Sequence, residues 1–218
     1  SGYQSRNVLQ MLERAYRDVG IEFGRVYPTE QVPVIVYTAE GFSDATLLAE
    51  HVGAVYDGKI RVPVVDKQGT VIDDEELRRR LYHEYVHVIV RLIADDNVPW
   101  WLNEGLAQLF SQEFTEQERQ MVLHARDKNA LYKLSDLEAN QLQTLDADAI
   151  RLAYAQSHAT VVYMYQRFGK RRLQQLMADL GAGIPTADSM EYRYRRDYAT
   201  LEREVAAGYR IRLVRATF

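Results

Sequence analysis

Five residues near the middle of the chain constrain it most: His83-Glu84-Tyr85-Val86-His87. On a helix, residues four apart lie one turn apart on nearly the same face. His83 and His87 can then aim two imidazoles at one point. Glu84 lies about 100° round from His83 and about 60° from His87, so it borders that face and points slightly aside. Two neutral ring nitrogens suit Zn²⁺, and a carboxylate beside them can take a proton from water. The run Tyr85–Ile93 is apolar nearly all round, which predicts a buried helix. Burying two imidazoles and a carboxylate without partners is costly, and a bound metal removes that difficulty.

A catalytic zinc usually keeps three protein ligands and one open position. Glu104, in Trp100-Trp101-Leu102-Asn103-Glu104-Gly105-Leu106-Ala107, is the candidate third ligand, for one zinc per chain. Sixteen residues separate it from His87. That is enough to finish one helix near Ala94, turn through Asp95-Asp96-Asn97-Val98-Pro99, and begin another. A metzincin needs Gly and His three and six residues after the second His. Val90 and Ile93 stand there instead, and the inverted H-x-x-E-H order is absent.

His-Glu-x-x-His followed by Asn103-Glu104-Gly105 and Ala107 on the next helix resembles the gluzincin metallopeptidases, the thermolysin-like group with a glutamate third ligand. The compact whole resembles the smaller bacterial peptidase MA-like domains more closely than the large zinc aminopeptidases. The resemblance implies an α+β, zincin-like fold. An N-terminal lobe holding a sheet would end in the zinc helix at about residue 94, and a helical lobe would follow from about 95 to 218. It implies zinc-assisted hydrolysis of a peptide or protein substrate, with Glu84 as general base. It also implies that Asn103 contacts substrate backbone and that a Tyr or His of the helical lobe stabilises the oxyanion. Ala153-Tyr154-Ala155-Gln156-Ser157 resembles the segment that carries this residue, so Tyr154 is the candidate and His158, one turn on, the rival.

Two departures from the family pattern matter. The large aminopeptidases hold the substrate's amino terminus with a Glu in a Gly-Ala-Met-Glu-Asn stretch. Here the similar stretch is Gly53-Ala54-Val55-Tyr56-Asp57, without the Glu. Endopeptidase action is therefore the expectation. The second is Gln108, one turn after Glu104, where thermolysin-like relatives have an acidic residue that orients a zinc histidine. A non-peptide amidohydrolase and a non-catalytic, zinc-stabilised binding domain are the alternatives.

Between Val52–Tyr56 and Lys59–Val65, Asp57-Gly58 is a strong hairpin signal. Pro63 predicts that the second arm lies at a sheet edge. In gluzincins an edge strand upstream of the zinc helix binds substrate backbone by strand addition. Ile60 and Val62 are the candidates for that contact, although a plain surface hairpin would read the same way.

The other expectations are structural. Residues 6–19 have helical periodicity with Gly20 as a stop, and residues 32–37 read as a strand. A short helix over 43–51 would be capped by Ser43 or Asp44. Asp73 and Glu76 have the form of a capping box for the zinc helix, and Arg78, Arg79 and Arg80 read as a solvated face. The Trp100–Trp101 pair is expected to pack between the two ligand helices. Glu113, Glu116, Glu118 and His124 are expected at the surface, a long helix over 147–168, and an exposed basic face at Arg193-Tyr194-Arg195-Arg196. Residues 209–218 are ambiguous.

Net charge is −4, so no basic balance points to nucleic acid. No apolar run approaches the roughly 20 residues of a membrane span. There are no cysteines, which excludes disulfides and thiolate ligands but not either redox compartment. The chain opens Ser1-Gly2 without Met, as a tag-cleavage scar does, so a natural targeting segment is expected to be missing. Location is left open, with an extracytoplasmic one the expectation.

Overall fold

The computed structural model describes residues 2–46, 53–112, 114–139 and 146–207. It is mostly helical with one small sheet, an α+β protein. Two compact units divide the chain, Ser1–Leu92 and Ile93–Phe218.

The first unit opens with α1 (Gly2–Glu22), which buries Val8, Leu12, Ala15 and Val19 at helical spacing. The helix runs through Gly20, where the sequence predicts a stop. Packing explains this glycine: a Cβ there would stand 2.1 Å from the Tyr27 ring. β1 (Val34–Thr38) starts directly after Pro33, whose carbonyl accepts the Ile60 N–H at 2.9 Å. α2 (Ala39–Thr46) begins earlier than expected, because Thr38 caps it. Its Oγ1 accepts the Gly41 N–H at 3.2 Å, and Ser43 and Asp44 fall inside the helix. The rest of the expected 43–51 helix lies outside the described residues.

β2 (Val55–Tyr56) and β3 (Ile60–Val65) form the expected hairpin about Asp57-Gly58; Val52 lies outside the described residues. The strand order is β1-β3-β2, with β3 parallel to β1 and antiparallel to β2. β3 is thus the middle strand, and the edge inferred from Pro63 is corrected. The proline is tolerated for a local reason. Ile60 points its N–H at β1, so Arg61 and Pro63 face the β2 side by alternation. The β2 ladder ends at Val55↔Arg61, so the missing N–H of Pro63 falls where no strand partner is paired.

α3 (Asp74–Ala94) ends where the sequence places it. Asp73 Oδ1 accepts from the Glu75 and Glu76 N–H groups at 3.1 and 3.0 Å. Glu76 does not complete the box. Its carboxylate takes Arg79 and Arg80 instead. Arg80 also donates to the Gly53 carbonyl at 3.2 Å. It is therefore a strap between α3 and the hairpin, and the solvated-face reading is corrected for it. Tyr82 on α3 donates to Asp18 of α1 at 2.6 Å.

The second unit is helical throughout its described residues: α4 (Trp100–Ser111), α5 (Glu116–Asp127), a 3-10 turn (Leu134–Leu137), α6 (Ala147–Phe168), α7 (Lys170–Gly181), α8 (Thr186–Tyr194) and α9 (Tyr198–Ala206). α6 is its axis. Asp146 caps it by accepting the Ala149 N–H at 2.8 Å, and it packs against α4, α5, α7 and α9. Every residue from Ala155 to Met164 is buried, so this helix is enclosed rather than amphipathic.

The basic face expected at 193–196 is corrected. Arg193 grips Asp179 of α7 with two bonds of 2.6 and 2.7 Å, and Ser189 donates to the same carboxylate at 2.6 Å. Tyr194 is buried, and Arg196 pairs with Glu204 at 2.8 Å. Bonding from Arg193 outweighs the effect of burial and, with Ser189, holds the Asp179 carboxyl below its ordinary range.

Asp179→Ala is expected to lower unfolding stability by about 2 kcal/mol at pH 7, since it strips hydrogen bonds from a guanidinium and a buried hydroxyl. A carboxyl depressed in the folded state stabilises above its unfolded pKa and loses that effect as pH falls through the folded pKa. Urea midpoints of wild type and variant should therefore converge below the usual carboxylate range. A gap of equal size at pH 7 and pH 3 would contradict the assignment.

Candidate metal centre

α3 sets the histidine geometry. His83 and His87 are both half-buried, and their ring centroids lie 4.8 Å apart at 83°. Glu84, between them in sequence, is only 5% exposed. One donor atom each from His83, His87 and Glu104 lies within 4.8 Å of the other two. The three residues singled out from the sequence are thus brought together as a group that could hold a metal ion.

The donors fit zinc. Two imidazoles and one carboxylate form a recognised three-ligand set for a zinc that keeps an open position. Bonds of about 2.1 Å place tetrahedral donors about 3.4 Å apart. Rotation of the side chains can make up the difference from the observed spread.

The neighbour of Glu104 shows why this ligand can be so placed. A Cβ on Gly105 would meet the Ser157 carbonyl oxygen at 2.6 Å and Val161 Cγ2 at 2.5 Å. α4 and α6 therefore touch nearly backbone to backbone beside the ligand. Any larger residue would lift α4 from α6 and move Glu104 with it. Sequence reading took Gly105 only as part of a motif. The packing reason becomes visible once α6 is set against it.

Trp100 and Trp101 sit in the first turn of α4, and each ring meets an aromatic partner within the helical unit. Trp100 meets Tyr154 of α6 edge-on at 5.1 Å, and Trp101, fully buried, meets Tyr198 of α9 at 6.0 Å. Both rings anchor α4 within the helical unit.

The chain matches the Peptidase MA superfamily over residues 30–208. It belongs to that superfamily. No individual curated protein matches the chain. The superfamily is one of peptidases, whose substrates are peptides or proteins. No described helix is long and apolar enough to cross a membrane.

The remaining sequence candidates of this Peptidase MA member fall out unevenly. Tyr154 is half-buried against Trp100. Asn103 is half-buried in the first turn of α4, and its N–H donates to the Pro99 carbonyl at 3.0 Å. Gln108 is 8% exposed, with no hydrogen-bond partner at its Oε1. Ile60 and Val62 are fully buried in the middle strand, so neither side chain is open to substrate.

His158 is fully enclosed in the helical unit. Its Nδ1 lies 2.9 Å from Glu118 Oε1 and its ring is edge-on to Phe114 at 5.2 Å. The surface position expected for Glu118 is corrected by this contact. Glu118 also completes a capping box with Thr115, so one carboxylate fixes the start of α5 and ties it to α6. Burial alone would raise the Glu118 carboxyl, but bonds to His158 and Thr115 prevail and hold it below its usual range. Glu116 and His124 are exposed as expected, and Glu113 lies outside the described residues.

Gly105→Ala should cost about 1–3 kcal/mol of stability through overpacking, and it should also weaken zinc binding. Urea unfolding and titration against a zinc-chelating dye would read the two effects. Unchanged values in both would contradict the close α4–α6 contact as the support for Glu104.

Proposed function

We propose that this chain is a zinc-dependent endopeptidase of the gluzincin type, built on a zincin-like arrangement. The observation that carries the reading is the convergence of His83, His87 and Glu104 donors. These three residues would hold the ion. Zinc bound there would supply Lewis acidity, polarising the scissile carbonyl and making water a better nucleophile at neutral pH.

Glu84 is the general base. It is buried one residue after His83, on the border of the ligand face. Its carboxylate takes a proton from the attacking water, and the same proton passes to the amine that leaves when the C–N bond breaks. Tyr154 donates its hydroxyl to the developing oxyanion, and Asn103 binds substrate backbone next to the ligand. Trp100, edge-on to Tyr154, supports the orientation of that ring. The unpartnered Gln108 Oε1 is suited to accept a ring N–H from a ligating histidine and so to fix its tautomer.

Substrate addition to the sheet shifts from β3 to the outer arm of the hairpin. The Ile60 N–H is already given to Pro33, and β2 already pairs with Ile60 and Arg61. Among the described residues β2 pairs with β3 alone. An extended peptide would thus align along Val55–Tyr56, with Ile60 and Val62 as the buried support behind it.

The endopeptidase assignment rests on Asp57. It is the nearest acidic residue to the position where aminopeptidases hold a free amino terminus. Its carboxylate is engaged by Arg61 at 3.0 Å, and Arg61 also donates to Tyr37 at 2.7 Å. The one carboxylate of the Gly53–Asp57 stretch thus has a cation of the protein itself as its partner, which disfavours its use as an anchor for an N-terminal amine. We further propose an extracytoplasmic setting for the protein, testable by fractionating cells that express it from its natural gene.

Glu84→Gln should retain zinc and lose roughly 10²–10⁴-fold in turnover of an unfolded protein substrate. Zinc-loaded variant with wild-type turnover would remove Glu84 as the base. A substrate panel of amino-blocked and free peptides separates endopeptidase from aminopeptidase action. Blocked peptides should be cut internally, and activity confined to free amino termini would contradict the proposal.

A further inference from the structure

We infer that the first unit carries a binding site for a small, neutral molecule with an apolar body and one hydrogen-bond acceptor. A cavity of about 590 Å³ lies entirely within that unit. Ligand sites span roughly 300–1,000 Å³, so its size suits a small organic molecule. Its walls come from four elements, with Leu12 on α1, Val34 on β1, Ile60 on β3 and Tyr85 on α3.

Tyr85 gives the cavity its specificity. The residue is 4% exposed, its hydroxyl is buried, and no protein group bonds to that hydroxyl. Buried hydroxyls are nearly always paired, so an unpaired one on a residue that lines a cavity marks a place for an acceptor. The Tyr16 ring lies 6.3 Å from that of Tyr85 and stacks on Tyr27 at 4.7 Å, which adds an aromatic surface for a flat apolar body.

The mouth agrees with the interior. Leu9 and Tyr16 are two turns apart on one face of α1, line the cavity, and remain 57% and 40% exposed. The charged lining residues are Glu13, Arg17 and Glu30. One cation among two anions does not favour an anionic head group, which is why the ligand is inferred to be neutral. Tyr85 is two residues from both His83 and His87, about 200° round the helix from each. The cavity therefore meets the opposite face of α3 from the histidine pair, and the inference is independent of the proposed hydrolysis.

The test titrates the whole protein with propiophenone and with propylbenzene, which is similar in shape but lacks the ketone oxygen. Binding is followed by amide chemical shifts. Saturable binding of propiophenone at least fivefold tighter than propylbenzene is expected. Tyr85→Phe should abolish that difference without changing the shape of the cavity. Leu9→Trp, at an exposed position on the mouth, should weaken both ligands at least fivefold, with melting temperature confirming that each variant is folded. Failure of both ligands to saturate, equal affinities in wild type, or affinities unchanged by both substitutions would overturn the site.

Discussion

The nearly bare contact of α4 on α6 at Gly105 is the constraint on which the candidate site depends. Two helices approach this closely only where a side chain is missing. The Ser157 carbonyl and Val161 fill the space a Cβ would need. Trp100 and Trp101 then clamp the start of α4 against Tyr154 and Tyr198. Glu104 is thus held on a helix whose height and rotation are set by packing. A ligand that must meet two histidines benefits from such a rigid mount, because each misplacement of a ligand weakens the whole set.

Long local signals were legible in the sequence. α3 and α6 have the expected bounds because long runs of helical periodicity mark both, and a capping residue marks the start of α3. Asp73 accepts the backbone N–H groups that the predicted capping box assigns to it, and Asp146, not singled out from the sequence, caps α6 in the same way. The short helix α2 was misplaced because its cap, Thr38, is also the last residue of β1. Pro63 was misread because a proline excludes only one side of a strand, and which side is free depends on where the neighbouring strand stops.

Charged residues were the hardest to read. Glu118 and Arg193 look like surface residues in sequence, yet their partners lie 40 and 14 positions away. Local pattern carries no information about such pairs. The candidate site was more legible than its surroundings for the same reason. His83, Glu84 and His87 are related by helical spacing alone, and the donors of His83, His87 and Glu104 do converge. The support beneath them, Gly105 and the Trp100–Tyr154 pair, depends on tertiary packing and was not foreseen. α3 also serves two faces: one carries the histidines, and the other brings Tyr85 to an apolar cavity.

Zinc content tests the central claim most directly. Wild type, His87→Ala and Glu104→Gln would be purified without nickel resin, dialysed, and measured by elemental analysis beside a circular dichroism check of folding. The account predicts about one zinc per wild-type chain and clear loss of zinc in both folded variants. Folded wild type that takes up no zinc from excess metal, or variants that keep it fully, would contradict a metal centre built from His83, His87 and Glu104.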